Sequence, residues 1–141
     1  MKTLSSSLQF FLNLAKVQSV MNRRFDASLR GLGFSDFVIL FNLSQARDEK
    51  LRRIDLTEKV GLTASGITRL LAPMEKIGLI KREKDGRDAR VSYVVLAKSG
   101  KRMLQESMED AEEIATASIP LMKAPHARAL TEVLATMAET A

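Results

Sequence analysis

Two stretches decide how this chain folds: Gly61-Leu62-Thr63-Ala64-Ser65-Gly66-Ile67-Thr68-Arg69, and the arginine-rich turn that follows it, Lys84-Asp85-Gly86-Arg87-Asp88-Ala89-Arg90. Gly61 reads as the left-handed residue that ends one helix. Thr63 reads as the cap of the next, its hydroxyl accepting a bond from a free backbone N–H. The turn between them has the length that a helix-turn-helix requires. In the second helix Ile67, Leu70, Leu71, Met74 and Ile77 fall on one face at helical spacing, which leaves Ala64, Ser65, Thr68, Arg69 and Ala72 on the other. Small residues let a helix backbone sink into a major groove, hydroxyls bond phosphates or base edges, and an arginine reaches a guanine or a phosphate. An amphipathic helix with a merely solvated polar face shows the same pattern, so the helix alone leaves both readings open.

The second stretch separates them. Ile80 to Arg82 and Val91 to Leu96 read as two strands, with Val91, Tyr93 and Val95 on one face and the turn formers Asp85 and Gly86 between them. A protruding hairpin that carries Lys81, Arg82, Lys84, Arg87 and Arg90 suits a narrow, electronegative minor groove. Glu83, Asp85 and Asp88 are interspersed, as in a solvated charged turn. Asp88, however, stands two residues before Arg90, where an ion pair would fix the direction of the guanidinium without cancelling its reach.

With helix and hairpin both in place, Asp55 to Lys101 resembles the winged helix of the MarR family of bacterial transcription regulators. The matching residues run from Asp55 through Leu70, then Met74-Glu75, Gly78-Leu79-Ile80, Arg82, Asp88-Ala89-Arg90, Leu96 and Gly100. Gly31 to Phe37 resembles the start of the family's second helix. The resemblance implies that Ser65, Thr68 and Arg69 face the major groove and that Asp88 positions Arg90 for the minor groove. The DNA-binding set expected from residues and resemblance together is Thr63, Ala64, Ser65, Thr68, Arg69, Arg87, Asp88 and Arg90. Two positions depart from the family pattern. Ala97 stands where a helix-capping threonine is common. Pro73 lies inside the recognition helix, where losing its N–H costs roughly 3 kcal/mol in a straight helix, so a bend is expected beyond the first two turns.

The 141 residues make one domain's worth of chain, 45% hydrophobic and long enough for a real core. Residues 1–46, 47–102 and 103–141 carry net charges of +3, +7 and −5, which sum to the overall +5. Positive charge is thus concentrated in the segment with the motifs, as a polyanion-binding surface requires. No targeting or membrane-spanning stretch is visible, and a cytoplasmic protein without membrane partners is expected. Cysteine is absent, which excludes disulfides and thiolate switches. The single histidine, His126, has no ligand-rich neighbourhood and reads as part of a helix start, so no metal and no cofactor are expected.

The ends of the chain are helical. Leu8 to Leu29 carries Phe10, Leu14, Val17, Met21 and Phe25 on one stripe, widened by Leu8, Phe11, Leu12 and Ala15. Lys98 to Ser118 places Leu104, Met108, Ala111 and Ala115 in register until Pro120, and a last helix aligns Leu130, Val133, Leu134 and Met137. Such apolar faces fit either a second copy of the chain or a fold-back on the same domain. The resemblance favours a homodimer. It also implies release from DNA by a small aromatic or lipophilic effector bound where the dimer helices meet the winged-helix lobe. Asn13, Arg23, Arg24, Phe37 and Phe41 could line that junction, but core phenylalanines and surface arginines read equally well, and no ligand residue is assigned.

The expected architecture is mainly α with a small β-hairpin wing, a winged helix-turn-helix flanked by dimerisation helices. The expected division is 1–34 for the N-terminal dimerisation helix, 35–96 for the winged helix-turn-helix and 97–141 for the C-terminal helices. The expected function is a sequence-specific transcription regulator, a repressor by family habit, that binds a palindromic site on double-stranded DNA. A winged helix devoted to protein–protein contact is the alternative, disfavoured because it has no need of clustered cations. No constellation of residues suggests an enzyme.

Overall fold

The structure, a computed structural model, describes residues 3–119 and 124–139. Helix α1 (Ser6–Ser28) begins where the Ser5 hydroxyl accepts the Leu8 N–H at 3.1 Å. The corner into α2 (Phe34–Gln45) is secured by the Asp26 carboxylate, which accepts the Phe34 N–H at 2.7 Å. A short 3-10 turn and strand β1 (Lys50–Arg52) lead into α3 (Arg53–Val60) and α4 (Ala64–Lys76). Strands β2 (Ile80–Lys84) and β3 (Ser92–Leu96) follow, then α5 (Lys98–Ser118) and α6 (Ala124–Glu139).

The core forms around α2. Its Ile39, Leu40 and Leu43 are fully buried, together with Leu56 of α3 and Ile67, Leu71 and Met74 of α4, and Leu104 of α5 is buried against them. This one cluster fixes the helix-turn-helix against the body of the chain, because α2, α3 and α4 each contribute one apolar stripe to it. Pro73 is exposed, and α4 runs through it to Lys76.

The wing contains the expected hairpin, β2 and β3, and β1 adds a third strand to it: the sheet is antiparallel in the order β1-β3-β2, with Lys50 opposite Val95 and Arg52 opposite Tyr93 on one side of β3. On the other side Ile80 pairs with Leu96 and Lys84 with Ser92. Val94 and Leu96 of β3 join the hydrophobic cluster, where α2 packs against the strand. Val95 is buried as well, since a central strand has neighbours along both edges. Ile77 is 68% exposed: it caps α4 rather than continuing it, and so leaves the helical stripe.

The terminal helices divide in two. The first two-thirds of α5 packs on the chain's own core through Leu104, Ser107 and Ala111, as does Phe25 of α1. The N-terminal half of α1 and the face of α6 do not. Leu8, Phe11, Leu12 and Val17, with Leu130, Val133 and Leu134, stand exposed. Helix α5 ends at Ser118, and the expected stop at Pro120 lies outside the described residues.

One close approach sets a testable limit. Ala97 sits at the N-cap of α5 and offers no side-chain bond, while a Cβ added at Gly100 would run into the Leu79 carbonyl oxygen. Gly100→Ala is therefore expected to lower stability by roughly 3 kcal/mol, the upper end of overpacking penalties. Ala97→Thr is expected to raise it by about 1 kcal/mol, because a hydroxyl there can accept a first-turn N–H. Urea melts of both variants check this, and an unchanged midpoint for Gly100→Ala would contradict the packing of α5 on the sheet.

Candidate nucleic-acid interface

Helix α4 is presented by its N-terminal turn. Gly61 adopts φ 70°, and its N–H donates to the Thr57 carbonyl at 3.0 Å, closing α3. Only glycine takes that left-handed conformation without steric cost. Two residues later the Thr63 hydroxyl accepts the Gly66 N–H at 3.1 Å and opens α4. With Ile67, Leu71 and Met74 buried, helical periodicity turns Ala64, Ser65, Thr68 and Arg69 to solvent, and all four are exposed.

The hydroxyls on this face are already engaged. Those of Thr63 and Ser65 lie 3.3 Å apart. The Thr68 hydroxyl donates to the Ala64 carbonyl at 2.9 Å and accepts from Nη1 of Arg53 at 2.8 Å. Arg53, the first residue of α3, thus reaches across to the exposed face of α4. Sequence reading missed it, because nothing in the local spacing joins residue 53 to residue 68. Arg69 makes no hydrogen bond or ion pair among the described residues.

At the wing tip Asp88 and Arg90 form the expected pair. The Asp88 carboxylate accepts the Arg90 backbone N–H at 3.0 Å, Nε at 3.1 Å and Nη2 at 3.3 Å. The guanidinium is therefore held in direction while its side chain remains 89% exposed. The side-chain bonds from Arg90 and then its backbone bond, with a smaller contribution from the Arg52 charge, hold the Asp88 carboxyl below the usual carboxylate range. Arg87 is exposed too, and its N–H donates to Asp85 at 2.9 Å, which braces the turn.

The basic residues of the segment sort into two groups. Those at the base of the sheet are paired: Arg82 with Glu75 at 3.1 Å, Lys50 with Glu83 at 3.0 Å and Lys101 with Glu49 at 3.1 Å. Arg52, Arg53, Arg69, Lys81, Lys84 and Arg87 have no ion pair among the described residues. The eight residues expected from sequence accordingly form two exposed groups, Thr63 to Arg69 at the start of α4 and Arg87 to Arg90 at the tip, and no hydrogen bond joins one group to the other.

A pocket of about 240 Å³ opens between α1, α2 and α5, lined by Phe25, Phe34, Phe37, Phe41, Met108, Ala111, Glu112 and Ala115. The rings of Phe25 and Phe34 stack with centroids 4.2 Å apart. Of the five residues considered for this junction, Phe37 and Phe41 line the pocket, whereas Asn13, Arg23 and Arg24 do not. Arg24 donates instead to the Ser118 hydroxyl at 3.2 Å.

Comparison with known proteins gives a consistent set of likenesses. The family model described as "MarR family" matches residues 34–92. The HTH-type transcriptional regulator YdgJ of Bacillus subtilis is 26% identical over 133 residues, covering 94% of this chain and 79% of that protein. The HTH-type transcriptional repressor YetL of the same organism is 30% identical over 104 residues, covering 72% of this chain and 62% of YetL. Among solved structures, Sco3205 of Streptomyces coelicolor, a MarR family transcriptional regulator in complex with DNA, shares the fold. Its TM-score is 0.85 at 19% identity, over 99% of this chain and 91% of that one.

The Asp88–Arg90 pair has a defined pH sense. A carboxyl whose folded value is lowered contributes above its ordinary range, near 4, and that contribution is lost as pH falls through the lowered folded value. In Arg90→Met the Asp88 carboxyl is expected to titrate at higher pH than in the unaltered chain. Carbon-detected NMR titration of the side chain checks this, and identical titration in the two proteins would show that the pair does not form in solution.

Proposed function

We propose that the chain is a DNA-binding transcription regulator of the MarR family, and that it acts as a homodimeric repressor on a palindromic operator in the cytoplasm. The observation that carries this reading is the pairing of two exposed surfaces on one rigid core. One is a recognition helix with a small N-terminal face and an unpaired arginine, and the other is a wing tip whose arginine is aimed by its own carboxylate. In this reading Ala64, Ser65, Thr68 and Arg69 enter the major groove, Thr63 holds the helix start, and Arg87 and Arg90 approach the minor groove with Asp88 as the positioning residue. The DNA complex formed by Sco3205, which shares this fold, supports it, and the repressor role of YetL supports repression over activation.

Dimerisation rests on the apolar residues that the single chain leaves uncovered on α1 and α6. Exposed large apolar side chains in such numbers mark an interface, and a two-fold copy can cover both helices at once. The N-terminal helix and the C-terminal pair therefore act as the dimerisation elements, with the reading head between them.

The pocket beneath the α1–α2 corner supports a small-molecule effector. Its lining is aromatic and apolar apart from Glu112, with no cation. An uncharged or cationic aromatic compound fits that chemistry, and an anionic one is opposed by the carboxylate. A ligand that favours one spacing of the two lobes shifts the dimer away from the DNA-bound arrangement.

Alanine substitutions separate the two reading elements. Arg69→Ala is expected to weaken binding to the preferred sequence by about 1–3 kcal/mol and to relax selectivity at one base position. Arg90→Ala is expected to weaken binding to many sequences alike and to flatten its salt dependence. Fluorescence anisotropy with labelled duplexes across a salt series measures both effects. Equal curves for the unaltered chain and Arg90→Ala would remove the wing from the interface.

A further inference from the structure

The Thr68 hydroxyl has one hydrogen, and it goes to the Ala64 carbonyl. It therefore cannot donate to a base, and one of its lone pairs already accepts from Arg53. What this position presents to a ligand is the guanidinium of Arg53, which arrives from α3 and is anchored at 2.8 Å. Arg53 is half-buried, and Nη1–H···Oγ1 of Thr68 is its one side-chain hydrogen bond among the described residues. A guanidinium carries five donors in a planar fork, so donors remain for a second partner. No carboxylate within the described residues pairs with Arg53, and its neighbour Arg52 is exposed and likewise unpaired.

We propose that Arg53 is a phosphate-contacting residue of the DNA interface and that Thr68 is its positioning residue rather than a base-reading one. The inference rests on the DNA-binding reading above. In a helix-turn-helix the first helix crosses the sugar–phosphate backbone while the second lies in the groove. Arg53 begins the first of these helices and reaches onto the outer face of the second, where a phosphate at the groove edge meets both. The Thr68 bond restrains the arginine beforehand, so less rotamer freedom is lost when the phosphate is engaged. The cation remains uncompensated until DNA supplies the anion.

The same bond could merely staple α3 to α4, and salt dependence distinguishes the roles. Each phosphate neutralised adds about one to the slope of log affinity against log salt concentration. The probes are a mixed-sequence duplex and the tightest-binding duplex selected from a random pool. Arg53→Ala is expected to bind both about tenfold more weakly and to lower the slope by about one on each. Arg53→Lys keeps the charge and is expected to retain the slope. Thr68→Val frees the arginine and is expected to lose affinity equally on both duplexes with the slope kept. An Arg53→Ala slope equal to that of the unaltered chain, with a lowered melting temperature, would assign a staple and overturn the proposal. A loss confined to the selected duplex would assign base reading and overturn it as well. If the unaltered chain bound neither duplex at low salt, the DNA-binding reading would fall and take this inference with it. Binding by the unaltered chain with an indifferent Arg53→Ala would remove the Arg53 assignment alone.

Discussion

Burial of one face of α4 is the constraint on which the rest depends. Ile67, Leu71 and Met74 are no more than 2% exposed, and they meet the buried residues of α2 and α3 in one cluster. Each such side chain contributes roughly 1.5–3 kcal/mol relative to exposure. Once that face is committed, 3.6-residue periodicity leaves no choice about the other: Ala64, Ser65, Thr68 and Arg69 must point outward. Gly61 and Thr63 fix where the helix begins, so its N-terminal end projects from the body at a defined angle to α3. The exposed face is a by-product of core packing, carried on a helix that hydrophobic contacts hold still.

Electrostatics then act on that scaffold. The segment 47–102 carries a net +7 although acidic residues are scattered through it. Those acids do different work according to position. Glu75, Glu83 and Glu49 tie cations at the base of the sheet, where an ion pair joins neighbouring elements. Surface pairs of this kind contribute little stability, so their value lies in orientation. Asp88 goes further and aims Arg90 outward while leaving it exposed. Arg53 and Thr68 repeat the arrangement with a neutral anchor, which leaves the full charge available.

Much of this was legible from sequence, for local reasons. The caps at Gly61 and Thr63, the outward face of α4 and the Asp88–Arg90 pair all depend on residues within one turn of each other. The misreadings depend on distance along the chain. Strand β1 is three residues long, and its partner β3 lies some forty residues away in the sequence, so no alternation could reveal it. With β1 in place β3 is a central strand, and its Val94 and Leu96 lie in the core. Ile77 fitted the helical stripe by spacing, yet the helix stops one residue earlier. Arg53 carried no motif, and only the folded turn places it against Thr68.

In the proposed complex two copies of this chain read an inverted repeat through α4 and the wing. Selection of bound duplexes from a random library at physiological salt, with the mass of the resulting complex measured by sedimentation, tests it most directly. The account predicts enrichment of an inverted repeat with half-sites about one helical turn, ~34–36 Å, apart and two chains on each duplex. Enrichment of no sequence, with binding that simply fades as salt rises, would contradict it and leave a basic winged helix held to DNA by charge alone.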